Sequence, residues 1–240
     1  MDADPDGGDL LPGWAGQWWV DGRLTAERGV VSFAASTRHL TSVPAEGLVG
    51  HVQEIPSTDH LRLLSGVTSR AQAGAIGEDG WRRLADAVRD VTTKGGPDVL
   101  VDAGRWVPET PWPLITEADL VLVGVRPSLR HVSATHPLLT ALRELVPLHR
   151  LGAAVSATTS READSVARAL GIPVGLELPE DPAAARALSD GFTQYREPRH
   201  SALLRTSRTA ARRLHLRLNP PPAGTTAPAS EAALVRGDAA

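Results

Sequence analysis

The feature that most constrains this chain is the hexapeptide LVLVGV at residues 120–125, apolar on both faces. Such continuity is expected of a central parallel strand covered by helices on each side. Three more short apolar runs share this character, at 99–101, 151–155 and 174–178. Between them, apolar residues recur at helical intervals. Trp81, Leu84, Ala85, Val88 and Val91 fall on one helical face. Helices are also expected over 133–146, with Pro137 within its first turn or so, over 161–170, and from Asp181 and Pro182 through Leu188. Aspartate then proline supplies an N-cap and a pre-shaped first helical position. Weaker signals predict a loop over 1–9, a helix within 29–40, a strand at 61–64 and a last helix over 199–218. Short strands alternating with helices of this length define βαβ units with right-handed crossovers. The expected fold class is therefore α/β, a three-layer, mostly parallel twisted sheet with helices on both faces. One domain is expected over 1–218. Residues 219–240, with three consecutive prolines and many Ala, Thr and Gly, are expected to form a disordered tail.

Composition narrows the chemistry. There is no cysteine, which removes disulfides, Cys-ligated metals and thiol catalysis together. Lys94 is the only lysine, so any mechanism needing a positioned lysine must use it or go without. The formal charge of −3 gives no global field for nucleic acid. No apolar run approaches the ~20 residues of a membrane span, and the acidic opening is no secretory or transit signal. A cytoplasmic location is expected.

Ligands of open α/β sheets bind at the carboxyl ends of the strands. Three polar clusters sit there: Asp102, Ala103 and Gly104; Arg126, Pro127 and Ser128; and Pro179, Glu180 and Asp181. An apolar strand ending in aspartate suits a hydrated magnesium, and a following glycine lets the backbone approach a phosphate. The same pattern also serves simply to cap a turn.

The order of these pieces resembles a known family. DADPDGGDL near the start, DVLVDAG in the middle, then ADLVLVGVRPS, and finally GIPVGLELPEDPAAARALSDG are similar to the MinD/ParA family over roughly residues 1–218. These are deviant-Walker P-loop ATPases of the SIMIBI class that position cell-division, chromosome, plasmid or secretion machinery. The resemblance is sharpest in the late strand, its Pro-Glu-Asp turn and the small-residue helix after it. It implies that Asp4 orients the attacking water and that Asp2 supports the magnesium shell. It implies that Asp102 is the Walker B aspartate, with Gly104 beside the γ-phosphate, and that Pro179, Glu180 and Asp181 line the adenine. ATP and Mg are the implied cofactors, and a face-to-face dimer the implied assembly.

One departure is large. The family's Gly-rich, lysine-bearing phosphate loop precedes the DADP segment by about one helix, and this chain carries no such segment ahead of Asp4. Lys94, Gly95 and Gly96 echo it, but Pro97 and a strand follow where a helix is needed. The resemblance thus implies an N-terminally incomplete sheet, lacking the first strand, the loop, its helix and most of the second strand. Backbone amides, lysine and hydroxyl are the core of phosphoryl transfer in this fold. ATP hydrolysis by this chain is therefore expected to be absent or very weak. A positioning ATPase with an incomplete nucleotide half and a non-catalytic scaffold, a pseudo-ATPase, both remain open.

Other patterns carry less. Asp2, Asp4, Asp6 and Gly7 match the start of a calcium loop, but Gly13 stands where a bidentate glutamate is required. His131 and His136 lack a third ligand at helical spacing. In the last helix Leu203, Leu204, Ser207, Ala211, Leu214 and Leu218 share a face, with Arg205, Arg208, Arg212 and Arg213 largely off it. That reads either as a docked helix with a solvated side or as a patch for DNA phosphates or an anionic membrane. Trp14, Trp18 and Trp19 form either a docking surface for an unknown protein partner or a cover for an open sheet edge. Self-association is expected of a truncated sheet.

Overall fold

The computed structural model describes residues 1–58, 60–156, 159–190 and 201–219. In chain order its elements are α1 (Gly16–Val20), α2 (Val30–Thr37), β1 (Gln53–Glu54), β2 (Arg62–Leu63), α3 (Arg70–Thr93), α4 (Trp112–Thr116), β3 (Val121–Val125), α5 (Leu129–Leu145), β4 (Leu151–Ser156), α6 (Ser160–Leu170), β5 (Val174–Leu178), α7 (Pro182–Ser189) and α8 (Ala202–Leu218). The predicted tail lies outside the described residues from position 220 onward, as do positions 199 and 200 of the predicted last helix.

The second half is built as the alternation requires. β3, β4 and β5 form a parallel sheet in that order, with Val121 opposite Leu151. α5 and α6 are the crossovers. Leu139 and Leu142 of α5 and Ala163, Val166 and Leu170 of α6 pack with Val123, Val125, Leu151, Ala153 and Val155 in one core. Burying each Leu or Val side chain contributes roughly 1.5–3 kcal/mol, so this cluster alone fixes the βαβ register. α6 is bounded by its sequence: Thr159 and Glu162 form a reciprocal capping box, and Gly171 ends it at φ 64°.

The first half is a second small sheet region. Residues 1–3 run extended between residues 64 and 102: Asp2 N–H donates to the Leu64 carbonyl (3.1 Å), Ala3 N–H to the Asp102 carbonyl (2.7 Å) and Asp102 N–H to the Met1 carbonyl (3.0 Å). The pairing of Asp2 with Asp102 is parallel. Beyond it lies the antiparallel hairpin of β1 and β2. Val30 and Phe33 of α2 and Trp81 and Leu84 of α3 cover this layer together with Ala3, Leu64 and Val67. α3 is longer than its sequence periodicity suggests and is broken at Gly77, whose φ 64° and ψ 175° only glycine adopts readily.

Three local expectations are corrected. The opening was expected as a loop over 1–9, yet its first three residues are extended and paired, because Asp102 supplies the partner. β3 was expected to be central, yet among the described residues it lies at the edge of its sheet, paired with β4 only and with Gly124 exposed. α5 starts at Leu129 instead of 133, capped by the Ser128 side chain, so Pro137 falls in its third turn and not its first. Trp14 and Trp18 meet edge to face at 5.7 Å and pack on Leu11, Ala15, Leu24, Ile55 and Leu63. They cover the outer hairpin, while Trp19 stays exposed.

Candidate functional site

The parallel pairing of residues 1–3 with 100–102 sends two chains out of the sheet at the same end. One delivers Asp4, the other Asp102 and Gly104. Gly104 sits at φ +65° against the Asp4 carboxylate: a Cβ there would lie 2.1 Å from Asp4 Oδ1. The exposed Asp102 carboxylate accepts the Gly104 N–H (2.9 Å), and the Asp4 carboxylate accepts the Asp6 N–H (2.9 Å). Each turn is closed on itself by an aspartate, a habit of this side chain.

Around this pair stand groups that sequence reasoning missed. Arg70, the first residue of α3, forms an ion pair with Asp6. The guanidinium holds the Asp6 carboxyl below its usual range, with Arg105 adding to the effect. Arg70 in turn is raised, first by Asp6 and then by Glu109 and Asp4. One oxygen of Glu109, Oε2, is buried with no hydrogen-bond partner. No spacing rule singles out Arg70, Arg105 or Glu109. The folded chain alone places them beside Asp4.

Asp2 is placed differently from its neighbour. It is 2 % exposed, and its carboxylate accepts N–H bonds from Leu10 (3.2 Å) and Asp4 (3.3 Å). The backbones of Gly8 and Gly66 press on it, so a Cβ at Gly8 would sit 2.2 Å from Oδ2. Burial pushes its carboxyl up, opposed by the two backbone bonds. Asp2 therefore ties the 4–10 loop to the sheet.

The turn after β5 is a helix cap. Asp181 accepts the Ala184 N–H (3.1 Å) at the start of α7, with Pro182 in the first position. Pro179 is half-buried and Glu180 exposed. No hydrogen bond or ion pair joins these three to Asp4 or Asp102 among the described residues, but α7 reaches the acidic loop by its other end. A Cβ at Gly13 would lie 2.4 Å from the Ser189 carbonyl. Lys94 is elsewhere, at the amino end of the 99–102 segment, held by Asp90 (2.7 Å) and Glu46 (3.1 Å), which raise it.

For a magnesium nucleotide the carboxylate half fits: Asp4, Asp102 and Gly104 converge, and a single carboxylate suffices for a hydrated magnesium. On the cationic side, Arg70 pairs with Asp6 and Arg105 acts on it. Among the described residues no group of three acidic or histidine side chains is arranged to hold a metal by itself, and no helix is long and apolar enough to cross a membrane.

Strand order and crossovers define an α/β protein with a parallel sheet flanked by helices. Comparison with solved structures gives the particular variant, the MinD/ParA fold. A ParA family ATPase from Chlorobium tepidum TLS superimposes with TM-score 0.60 at 18% identity, over 80% of this chain and 78% of that one. The cell division ATPase MinD of Pyrococcus furiosus gives 0.62 at 13%, over 89% and 83%. MinD of Pyrococcus horikoshii OT3, solved with Mg-ADP, gives 0.52 at 12%, over 89% and 82%. No family model matches the sequence, and no curated protein does. At these identities the likeness establishes the fold.

Proposed function

We propose that this chain is a MinD/ParA-type positioning or partitioning protein of the cytoplasm whose nucleotide site is represented here by its carboxylate half. The observation that carries this is the convergence of Asp4, Asp102 and Gly104 at the carboxyl end of two parallel neighbours. The MinD fold bound to Mg-ADP in a Pyrococcus protein supports nucleotide as the ligand class. In this reading Asp102 holds the hydrated magnesium, and Asp4, facing Gly104, orients a water. Gly104 leaves room for a terminal phosphate, Asp2 fixes the loop that carries Asp4, and Pro179, Glu180 and Asp181 border the base. Magnesium, when bound, supplies charge neutralisation on the phosphate oxygens.

Hydrolysis by this chain alone is very weak. Its one lysine is committed to Asp90 and Glu46 at the amino end of the 99–102 segment, so transition-state charge is left to arginine. The test is titration of a fluorescent ATP analogue with and without Mg²⁺. Weak, Mg-dependent binding abolished by Asp102→Ala supports the reading. Binding that ignores both Mg²⁺ and Asp102→Ala refutes it.

A second reading, a non-catalytic scaffold that binds a partner, is favoured by α8. Arg205, Arg208, Arg212 and Arg213 are exposed, and no ion pair engages them among the described residues. That face suits DNA phosphates or anionic lipid, and self-association through exposed sheet edges belongs to the same reading.

A further inference from the structure

β5 is the other edge of the parallel sheet. Among the described residues it pairs with β4 only, and all of its residues are half-buried where β4 is mostly buried. A groove of ≈ 770 Å³ runs along it between α6 and α8, and the consecutive residues Pro173 to Glu177 line that groove. A strand turned face-on would present every second residue, so a consecutive run is an edge, with its main-chain donors and acceptors. α6 buries Ala163, Val166 and Leu170 in the core of this sheet, whereas α8 buries no residue. The strand edge thus forms the floor of the groove, with a helix along each bank. The banks differ in charge. α6 contributes Arg168 and Asp164, opposite charges four residues apart, and the Ser160 hydroxyl, which donates to Glu177 (2.8 Å). α8 contributes Arg205, Thr206, Thr209 and Arg213, and no acid. Both of these arginines are exposed, and no hydrogen bond or ion pair engages either side chain among the described residues. They stand eight residues apart, about 12 Å along the helix, close to the about 13 Å between residues i and i+4 of a strand.

We propose that the β5 edge takes up an extended acidic segment of a partner protein as an added strand, with two carboxylates at i and i+4 meeting Arg205 and Arg213. The open main chain calls for a strand. The charge calls for acid, since Arg168, Arg205 and Arg213 are set against Asp164 and a Glu177 already bonded to Ser160. Successive side chains of the added strand alternate between the banks. Those toward α8 carry the acids, and those toward the mixed charges of α6 are small or β-branched and neutral. A second copy of this chain does not suit the seat, because two copies meeting at this edge would bring their arginines together, and like charges across an interface oppose association. Arg208 and Arg212 lie outside the groove, and the seat needs neither nucleotide nor Asp102, so it stands independently of the nucleotide reading.

The probe is a fluorescein-labelled peptide, TETVTET-amide, whose glutamates stand at i and i+4 on one face, read by fluorescence anisotropy and by amide hydrogen exchange. The full chain binds it, and exchange slows at least about tenfold at alternate amides of residues 174–177. Arg205→Glu with Arg213→Glu weakens binding at least about tenfold, a change of 1.4 kcal/mol. The melting temperature stays the same, because both side chains are exposed. Arg208→Glu with Arg212→Glu makes the same change of charge on the same helix outside the groove, and shifts the affinity less than about threefold. The reversed peptide, TKTVTKT-amide, binds the Arg205→Glu/Arg213→Glu variant better than the parent. Five results overturn the proposal: no binding of TETVTET-amide; unchanged exchange over 174–177; equal losses in the two double variants, which would make the attraction a general field of the helix; displacement of the peptide by duplex DNA, which would assign the arginines to phosphate; or a dimer through this edge that the peptide does not displace. No readout contains nucleotide, so failure of Mg-ATP to bind leaves this proposal intact.

Discussion

Two residues of the acidic opening do opposite jobs although sequence gives them the same chemistry. Asp4 faces outward against Gly104, while Asp2 faces inward and is closed over by Gly8 and Gly66. The difference follows from where the sheet pairing ends: Asp2 lies within the paired residues 1–3, whereas Asp4 starts the turn beyond them, its carboxylate accepting the Asp6 N–H. Replacing Gly104 by alanine forces a left-handed backbone and a clash with the Asp4 carboxylate. Thermal unfolding should report a loss of about 1–3 kcal/mol, with nucleotide binding lost as well. Asp2 makes stability depend on pH. Its folded pKa lies above the ordinary aspartate value of 3.8 because burial disfavours the charged form. Below 3.8 the carboxyl is neutral in both states and its contribution is intact. As pH rises, the unfolded chain ionises first, and stability falls until the folded pKa is passed. Denaturant titrations should show wild type losing stability relative to Asp2→Asn as pH rises above about 4. A difference that is flat or rises with pH would contradict the burial argument.

At the scale of elements, the sequence was most legible where the signal is local. The caps at Thr159, Glu162 and Gly171 bound α6, and Asp181 with Pro182 starts α7 where its side chain predicts. β4 and β5 follow from apolar runs that helices cover. β3 was misjudged because LVLVGV reports its faces and not its edges: whether a strand is central depends on the chain beside it, and that is not written in its own residues. α5 was misjudged through Pro137, taken as a marker of the first turn. Packing of Leu139 and Leu142 holds the helix through the proline, and Ser128 caps it a turn earlier. Since Pro137 is exposed and removes a hydrogen bond inside a helix, Pro137→Ala should stabilise the protein by about 1–3 kcal/mol, measured by chemical denaturation. Destabilisation would mean that the proline itself is required.

At the scale of the molecule, two half-sheets share one fold. Asp102 and Gly104 were legible because they follow an apolar run, and Asp4 through the family resemblance of its segment, whereas Arg70, Arg105 and Glu109 join them only through tertiary packing. α8 crosses both halves, at Asp98 and His149, and leaves Arg208 and Arg212 exposed. Replacing Arg208 and Arg212 by glutamate should weaken sedimentation with anionic vesicles or retention on DNA without changing the melting temperature. Unchanged binding would remove the surface role. Elsewhere a groove of ≈ 770 Å³ between α6, β5 and α8 carries Arg168, Arg205 and Arg213, so it is the natural competitor for any phosphate-bearing ligand. The most direct measurement is therefore where nucleotide lands. In a ¹⁵N-labelled sample titrated with Mg-ADP, the carboxylate-half account predicts amide shifts at residues 4–8 and 102–104, extending to the cap at Asp181, and their loss in Asp102→Ala. Shifts confined to the groove around Arg168 and Arg213, or none at all, would contradict it.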